Sequence, residues 1–285
     1  MQELIDTLSR TLPDLSPQLQ RAATFILDNP GSVAVDSMRA MAAKADVSPP
    51  TMLRLAQRLG FDNYESFRDV FKKSVAHGSY GDRANDLRRA TDQEGIPGLV
   101  DATVAAGIAG MDRFHDPVFV RDVERTADLI IAADRRFVLA SGASFGQGIS
   151  FQYVCRMALP DISLVNGFGI RAIDDIASVR KGDVVIAIST GPYSSRTIEA
   201  AIFAKQRGAE IVAVTDRRAS PVAQISEASI IIQTTGPHYF PSMITLNATL
   251  EILSAVITVK LGAEAVTNIS EFEKNMRVNG YHWET

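Results

Sequence analysis

Between residues 16 and 71, apolar positions recur at helical spacing, and each run is closed by a capping or breaking residue. Ser16-Pro17 predicts a serine N-cap with proline in the first turn, ahead of Leu19, Ala22, Ala23 and Ile26. Asn29-Pro30-Gly31 then reads as a stop. Ser37 opens a second short helix with Met38, Met41 and Ala42 on its apolar side. The connection Ala45-Asp46-Val47 leads to Ser48-Pro49, another serine cap with proline just inside. The helix that follows ends at Gly60, and Asp62 with Glu65 predicts a capping box for a fourth helix through Tyr64, Phe67 and Phe71.

Two short helices joined by a tight turn, the second strongly capped, form the helix-turn-helix pattern. In the second helix Met52, Leu55, Ala56 and Leu59 make the inward stripe. That phase turns Thr51, Arg54, Gln57 and Arg58 outward, toward phosphates and base edges. Leu53 is expected to pack against a neighbouring helix.

Glycine-rich polar stretches, Gly78 to Asp82 and Asp92 to Gly98, break the pattern. Asp101 to Met111 and Pro117 to Ala133 read as helices, the second with Val120, Val123, Ala127, Ile130 and Ile131 on one side. Beyond 136 the period changes. Phe137 to Ala140, Val184 to Ile188, Ile211 to Val214 and Ile230 to Ile232 are continuous apolar runs separated by helical segments. That alternation predicts a doubly wound, mostly parallel sheet buried on both faces. The fold class is thus an all-α helix-turn-helix domain followed by an α/β domain. The expected division is 1–80 for the DNA-binding domain, 81–115 for a helical linker and 116–285 for the α/β domain.

Composition adds limits. With 46% hydrophobic and 22% charged residues the chain is globular, and its net charge of −4 carries no general nucleic-acid signal. Only placement helps. Between Ser37 and Phe61 the charges are Arg39, Lys44, Arg54 and Arg58 against Asp46 alone. DNA contacts are therefore expected from Arg39, Lys44, Ser48, Thr51, Arg54, Gln57 and Arg58. The single cysteine, Cys155, excludes an internal disulfide, and no secretory pattern opens the chain, so a cytoplasmic location is expected. Leu246 to Ala263 is apolar but carries Glu251 and Lys260, and it reads as a buried amphipathic helix, with no membrane partner expected.

Two strand ends carry chemistry. The first run ends in Ser141-Gly-Ala-Ser144 and the second in Ser189-Thr-Gly-Pro-Tyr-Ser-Ser195, each opening onto a helix. Hydroxyls, free backbone N–H groups and a helix N-terminus together suit an anion at the carboxyl ends of the strands. Expected effector contacts are Ser141, Ser144, Ser189, Thr190, Ser194, Ser195 and Thr197, with Arg196 as a charge partner. The Gly142, Gly146 and Gly148 spacing does not match a dinucleotide fingerprint. No cofactor or metal is required.

These segments together resemble the RpiR-type regulators, which pair a helix-turn-helix domain with a sugar-isomerase-like (SIS) domain. The resemblance rests on Asn29-Pro30, Ser37-Met-Arg-Ala-Met-Ala-Ala43, Val47-Ser-Pro-Pro-Thr51, Arg58-Leu-Gly-Phe61 and Tyr64-Glu-Ser-Phe67. In the second half it rests on Ser141-Gly-Ala-Ser144, Ile188-Ser189, Thr197-Ile-Glu-Ala-Ala201, Ala209 to Thr215 and Ser220-Pro-Val-Ala223. It implies a homodimer or homotetramer that binds a double-stranded operator and a phosphosugar or related anionic sugar effector. One loop departs from the pattern. Where the family reads Ser-X-Ser-Gly-X-Thr, this chain has Ser189-Thr-Gly-Pro-Tyr-Ser194. Gly191 lacks the second hydroxyl, Pro192 has no N–H to donate, and Tyr193 adds bulk among the effector contacts.

The alternative is a sugar-phosphate isomerase or lyase with an accessory helical domain. Such chemistry needs a placed base. Glu251, also counted among the effector contacts, is the first candidate and His238 the second; no residue is assigned as catalytic. Phe272, Tyr281 and Trp283 near the end are expected to pack on the α/β domain or a second copy.

Overall fold

The computed structural model describes residues 2–12, 15–76, 80–165 and 172–279. The chain divides into two compact units, one up to Gln93 with His238–Phe240, the other Glu94–Pro237 with Pro241 onward.

The first unit contains α1 (Gln2–Thr11), α2 (Pro17–Asp28), α3 (Pro30–Val35), α4 (Met38–Lys44), α5 (Pro49–Arg58) and α6 (Tyr64–Ala76). Leu8, Ile26, Met41, Met52, Leu55, Phe67 and Phe71 are its largest fully buried side chains among the described residues. Phe67 is central, with ring centroids 5.5 Å from Phe61 and 5.0 Å from Phe71. Asn29-Pro30 does more than stop α2. Proline sits in the first turn of α3, where its missing N–H has no helical partner to lose. The box that opens α6 also lies one residue later than expected. The Ser66 N–H donates to Asn63 Oδ1 at 2.8 Å and the Asn63 N–H to Ser66 Oγ at 3.4 Å. Asn63 replaces Asp62 because the helix begins at Tyr64, whose ring packs on Phe67.

The break expected at Asp92 to Gly98 is present, as a kink at Gly95 between two helical stretches. α7 runs Tyr80–Asp112, and Gly95 alone leaves helical geometry (φ 68, ψ −178), with Pro97 just after it. Glycine tolerates that positive φ, so the chain changes direction at the expected break.

The second unit is built on β1 (Arg136–Ala140), β2 (Ile162–Val165), β3 (Val184–Ile188), β4 (Glu210–Thr215) and β5 (Ala228–Ile231). All neighbouring pairs are parallel, in the order β2-β1-β3-β4-β5. α8 (Pro117–Ala132) precedes the sheet; α9 (Phe145–Ala158), α10 (Ala172–Asp175), α11 (Ser195–Gln206) and α12 (Pro221–Ile225) lie between strands, and α13 (Ile244–Leu261) and α14 (Ala263–Val278) follow. β2 is the strand that the apolar pattern missed. It is a four-residue edge whose Ser163 is exposed, so it offers no continuous apolar run.

Both faces of the sheet are covered. Val138, Ile186, Val212 and Ile230 belong to the core with Val123, Phe151 and Leu253, from α8, α9 and α13. Phe137, Leu139, Val185 and Ile211 belong to the core with Ala200, Ala201 and Ala204 of α11. On α8 the buried stripe is Phe119, Val123, Thr126, Ala127 and Ile130, whereas Val120 is exposed. Val123, Ala127 and Ile130 are thus buried as expected and Ile131 packs against the same core, while Phe119, stacked on Phe114 with centroids 4.4 Å apart, takes the place expected of Val120. α13 is long and apolar enough by composition to cross a membrane, yet it buries Leu246, Leu250, Leu253 and Ile257 in the core. Asp183, buried ahead of β3, accepts from Arg135 Nε at 3.0 Å and Nη2 at 2.6 Å and from the Arg180 N–H at 2.9 Å. Although burial works against its charge, these donors hold its carboxyl below the usual range. Tyr281 and Trp283 lie outside the described residues; Phe272 packs edge-on to Tyr153 with centroids 6.4 Å apart.

Candidate functional site

α4 and α5 are held by a turn whose geometry follows from backbone hydrogen bonds. The Val47 N–H donates to Ala42 O at 2.9 Å and the Asp46 N–H to Ala43 O at 3.3 Å, with Asp46 left-handed at φ 51. This is a Schellman closure with aspartate where glycine is commonest. The end of α5 repeats it with Gly60 (φ 90), whose N–H donates to Gln57 O at 3.0 Å while Phe61 N–H donates to Ala56 O at 3.1 Å. Ser37 caps α4 as expected, accepting from the Ala40 N–H at 3.2 Å. Ser48 does not cap α5 through its side chain.

Arg39, Lys44, Ser48, Arg54, Gln57 and Arg58 are all exposed. Thr51 departs from its expected orientation. It is only 2% exposed, its Oγ1 lies 2.9 Å from Ser48 Oγ, and Arg54 Nη2 donates to it at 3.4 Å. Thr51 therefore sits beneath Ser48 and Arg54, because α5 starts deep enough for its first turn to meet the core. Lys44 pairs with Asp36 at 2.8 Å, and Arg21 with Asp46 at 3.6 Å. An open depression of about 400 Å³ lies over this turn, lined by Gln18, Ala43, Asp46, Ser48, Thr51 and Arg54 among others. Leu53 is partly buried against the helical core, as its packing role requires.

In the second unit the strand order changes direction between β1 and β3, and register brings their ends together. Ala140 pairs with Ile188, so Ser141 and Ser189 emerge side by side. Ile188 pairs with Val214, and the Ser189 N–H donates to Val214 O at 3.1 Å, which puts the β4 end next in line. Ser141 Oγ lies 2.5 Å from Thr197 Oγ1, tying the loop after β1 to the first turn of α11. Ser144, Ser189, Thr190 and Thr197 are buried, at 5%, 4%, 8% and 1% exposure. Ser141, Tyr193 and Ser194 are half-buried, and Ser195 and Arg196 are exposed. Glu251 lies on the exposed side of α13. His238 is exposed, and its Nδ1 accepts from the Phe240 N–H at 3.0 Å.

Two groups escaped the sequence reading. The Tyr193 hydroxyl donates to Asp216 Oδ1 at 2.8 Å, and Arg217 Nε and Nη2 donate to Asp216 Oδ2 at 3.1 and 3.0 Å. Burial, the Asp216 charge and that hydrogen bond all push the Tyr193 phenol well above its ordinary value, so it stays a donor. Partial burial works against the Arg217 charge, but Asp216 outweighs it and holds the guanidinium above its usual value. Asp216 and Arg217 directly follow β4, and the rule that ligands gather beyond strand carboxyl ends was the available signal. Gln147, in the first turn of α9, carries a buried Oε1 that accepts no hydrogen bond among the described residues.

Fold and site thus define a helix-turn-helix DNA-binding unit joined to a sugar-isomerase-like α/β unit. Residues 2–78 match the helix-turn-helix domain of the rpiR family and residues 129–259 match the SIS domain. The chain belongs to the RpiR-type family of transcriptional regulators. It is similar to the HTH-type transcriptional regulator HexR of Pseudomonas aeruginosa, 24% identical over 281 residues, 97% of this chain and 96% of that protein. Among solved structures it resembles the sugar isomerase domain of an RpiR transcription factor from Sphaerobacter thermophilus (TM-score 0.57, 22% identity), covering 62% of this chain and 98% of that one. It also resembles the Vibrio vulnificus NanR protein complexed with ManNAc-6P (TM-score 0.57, 17% identity), over 96% of this chain and 97% of that one.

Proposed function

We propose that this regulator binds a double-stranded operator through Arg39, Lys44, Ser48, Arg54, Gln57 and Arg58. In this reading Thr51 positions Ser48 and Arg54. A small anionic sugar derivative binds at the ends of β1 and β3 and modulates operator affinity. The observation that carries the effector half is the 2.5 Å link between Ser141 and Thr197, which joins two hydroxyl-rich loops in register at the point where the strand order reverses. The ManNAc-6P bound to NanR supports a phosphorylated or similarly anionic sugar. The domains are 1–80, a helical linker 81–115 and 116–285, and the protein works in the cytoplasm as a sensor rather than an enzyme. The similarity to the HTH-type transcriptional regulators HexR of Pseudomonas aeruginosa and Escherichia coli supports that choice.

A homodimer or homotetramer fits an apolar stripe on α7. Ile96, Val100, Val104 and Ile108 are each more than half exposed in the single chain. Beside that stripe, Gly107 meets Ile244 and Gly110 meets Thr245, so α7 packs closely on α13 while the four large side chains stay exposed.

The test is fluorescence anisotropy on the DNA upstream of the protein's own gene, titrated with sugar phosphates, neutral sugars and sugar acids. Operator binding that shifts with an anionic sugar is expected. No DNA binding at low salt, or turnover of a sugar phosphate that is lost in Glu251→Gln, would overturn the reading.

A further inference from the structure

The second effector loop lacks a hydroxyl at Gly191 and an N–H at Pro192, where a phosphate cradle would place donors. The structure shows what stands there instead. A Cβ built on Gly191 would lie 3.5 Å from Asp216 Oδ2, 3.6 Å from Arg217 Nη2 and 3.9 Å from Tyr193 Cζ. The guanidinium thus borders the space that the missing side chain leaves, joined to the loop through Tyr193 and Asp216.

From this juxtaposition we infer that Arg217 is the anion-binding and specificity-determining residue of the effector site, taking an oxyanion of the ligand beside Gly191. The inference rests on the effector reading above.

Three features of the cluster support it. An arginine has five N–H donors, and the two that Arg217 engages, on Nε and Nη2, fall on one oxygen of Asp216. Its side chain is 49% exposed, so the remaining donors have access to a ligand, while that of Asp216 is 8% exposed. Asp216 is also committed elsewhere, because its Oδ1 accepts from the Tyr193 hydroxyl. The tyrosine ring lies under the guanidinium, 5.9 Å from centroid to Cζ, and the carboxylate holds it from one edge. Asp216 and Tyr193 are positioning residues, and Arg217 makes the contact. A planar fork favours a carboxylate or a phosphate over a neutral hydroxyl, which a serine at 191 would not distinguish as strongly.

The experiment uses the full chain and four six-carbon probes: glucose, gluconate, glucose 6-phosphate and 6-phosphogluconate. Calorimetry and thermal shift are run on wild type, Arg217→Met and Arg217→Lys, at low and at high salt. Wild type is expected to bind at least one anionic probe and not glucose, with affinity falling as salt rises. Arg217→Met should weaken that binding about tenfold or more, and Arg217→Lys by less, since it keeps the charge and loses the fork. Binding of glucose 6-phosphate alone assigns a phosphate, and binding of gluconate alone a carboxylate. Operator binding of ligand-free Arg217→Met serves as the folding control, and Arg217→Lys carries the test if the methionine variant does not fold. Unchanged affinity in a folded Arg217→Met, or in Arg217→Lys where that control fails, overturns the role of Arg217 and leaves the effector reading standing. No binding of any anionic probe to wild type removes the effector reading and the arginine with it.

Discussion

In the reading unit, Arg39, Lys44, Arg54 and Arg58 stand in solvent, whereas at the strand ends Ser144, Ser189, Thr190 and Thr197 are buried. In the function proposed above, the two regions recognise their partners by different physics. A DNA backbone is a long line of charge, so exposed cations on a rigid helix suffice to attract it, and the interaction weakens with salt. A small ligand has few atoms, so each donor must be held in place and shielded from water before it binds. The supporting residues differ accordingly. Thr51 lies under an exposed arginine, while the Ser141–Thr197 link lies within the polar cluster itself.

Four variants test this contrast. The largest effect is expected from Phe67→Ala, which empties the centre of the helical core and should cost about 3–5 kcal/mol in chemical denaturation. If the loss stayed under about 1 kcal/mol, this core would not be what supports the reading helix. Arg54→Ala with Arg58→Ala should leave stability within about 0.5 kcal/mol. The pair should weaken operator binding by about tenfold or more and flatten the salt dependence by roughly one phosphate contact per residue. Undiminished binding would take DNA reading away from this face.

Ser189→Ala removes one hydroxyl from the effector loops. A net hydrogen bond of about 1 kcal/mol predicts about fivefold weaker binding of the anionic ligand and unchanged affinity for DNA in its absence. An equal loss in both assays would point to a general structural role for the serine. The smallest effect is expected from Asp46→Asn. Asparagine tolerates the left-handed turn, so stability should move by less than about 0.5 kcal/mol. DNA affinity should rise a few-fold at low salt, because a like charge has left the face, and should converge on wild type as salt is raised. A fall in affinity at low salt would show that Asp46 holds the turn rather than opposing the phosphates.

Much of this architecture was legible along the chain, for reasons local to a few residues. Ser37, Asn29-Pro30 and Gly60 mark helix ends through their own backbone and side-chain hydrogen bonds, and the β1 and β3 runs, buried on both faces, need uninterrupted apolar residues. Where reading along the chain erred, the deciding contact was distant or the signal weak. The exposed edge β2 lacked an apolar run, and Phe119, stacked on Phe114, took the buried place expected of Val120.

The site divides the same way. Serines and threonines after buried strands were visible because strand ends open onto helices. Asp216 and Arg217 were not. They gain their place beside Gly191 only when parallel pairing of β3 and β4 aligns loops more than twenty residues apart in sequence. Thr51 was assigned outward from helical phase alone, and packing of α5 turned it in. By itself the sequence determined which residue types stand at each helix and strand end, since caps, breakers and β-branched runs act within a turn of the backbone. Only the tertiary structure decided which of those ends meet, because hydrogen-bond register across the sheet and burial between helices belong to residues far apart along the chain.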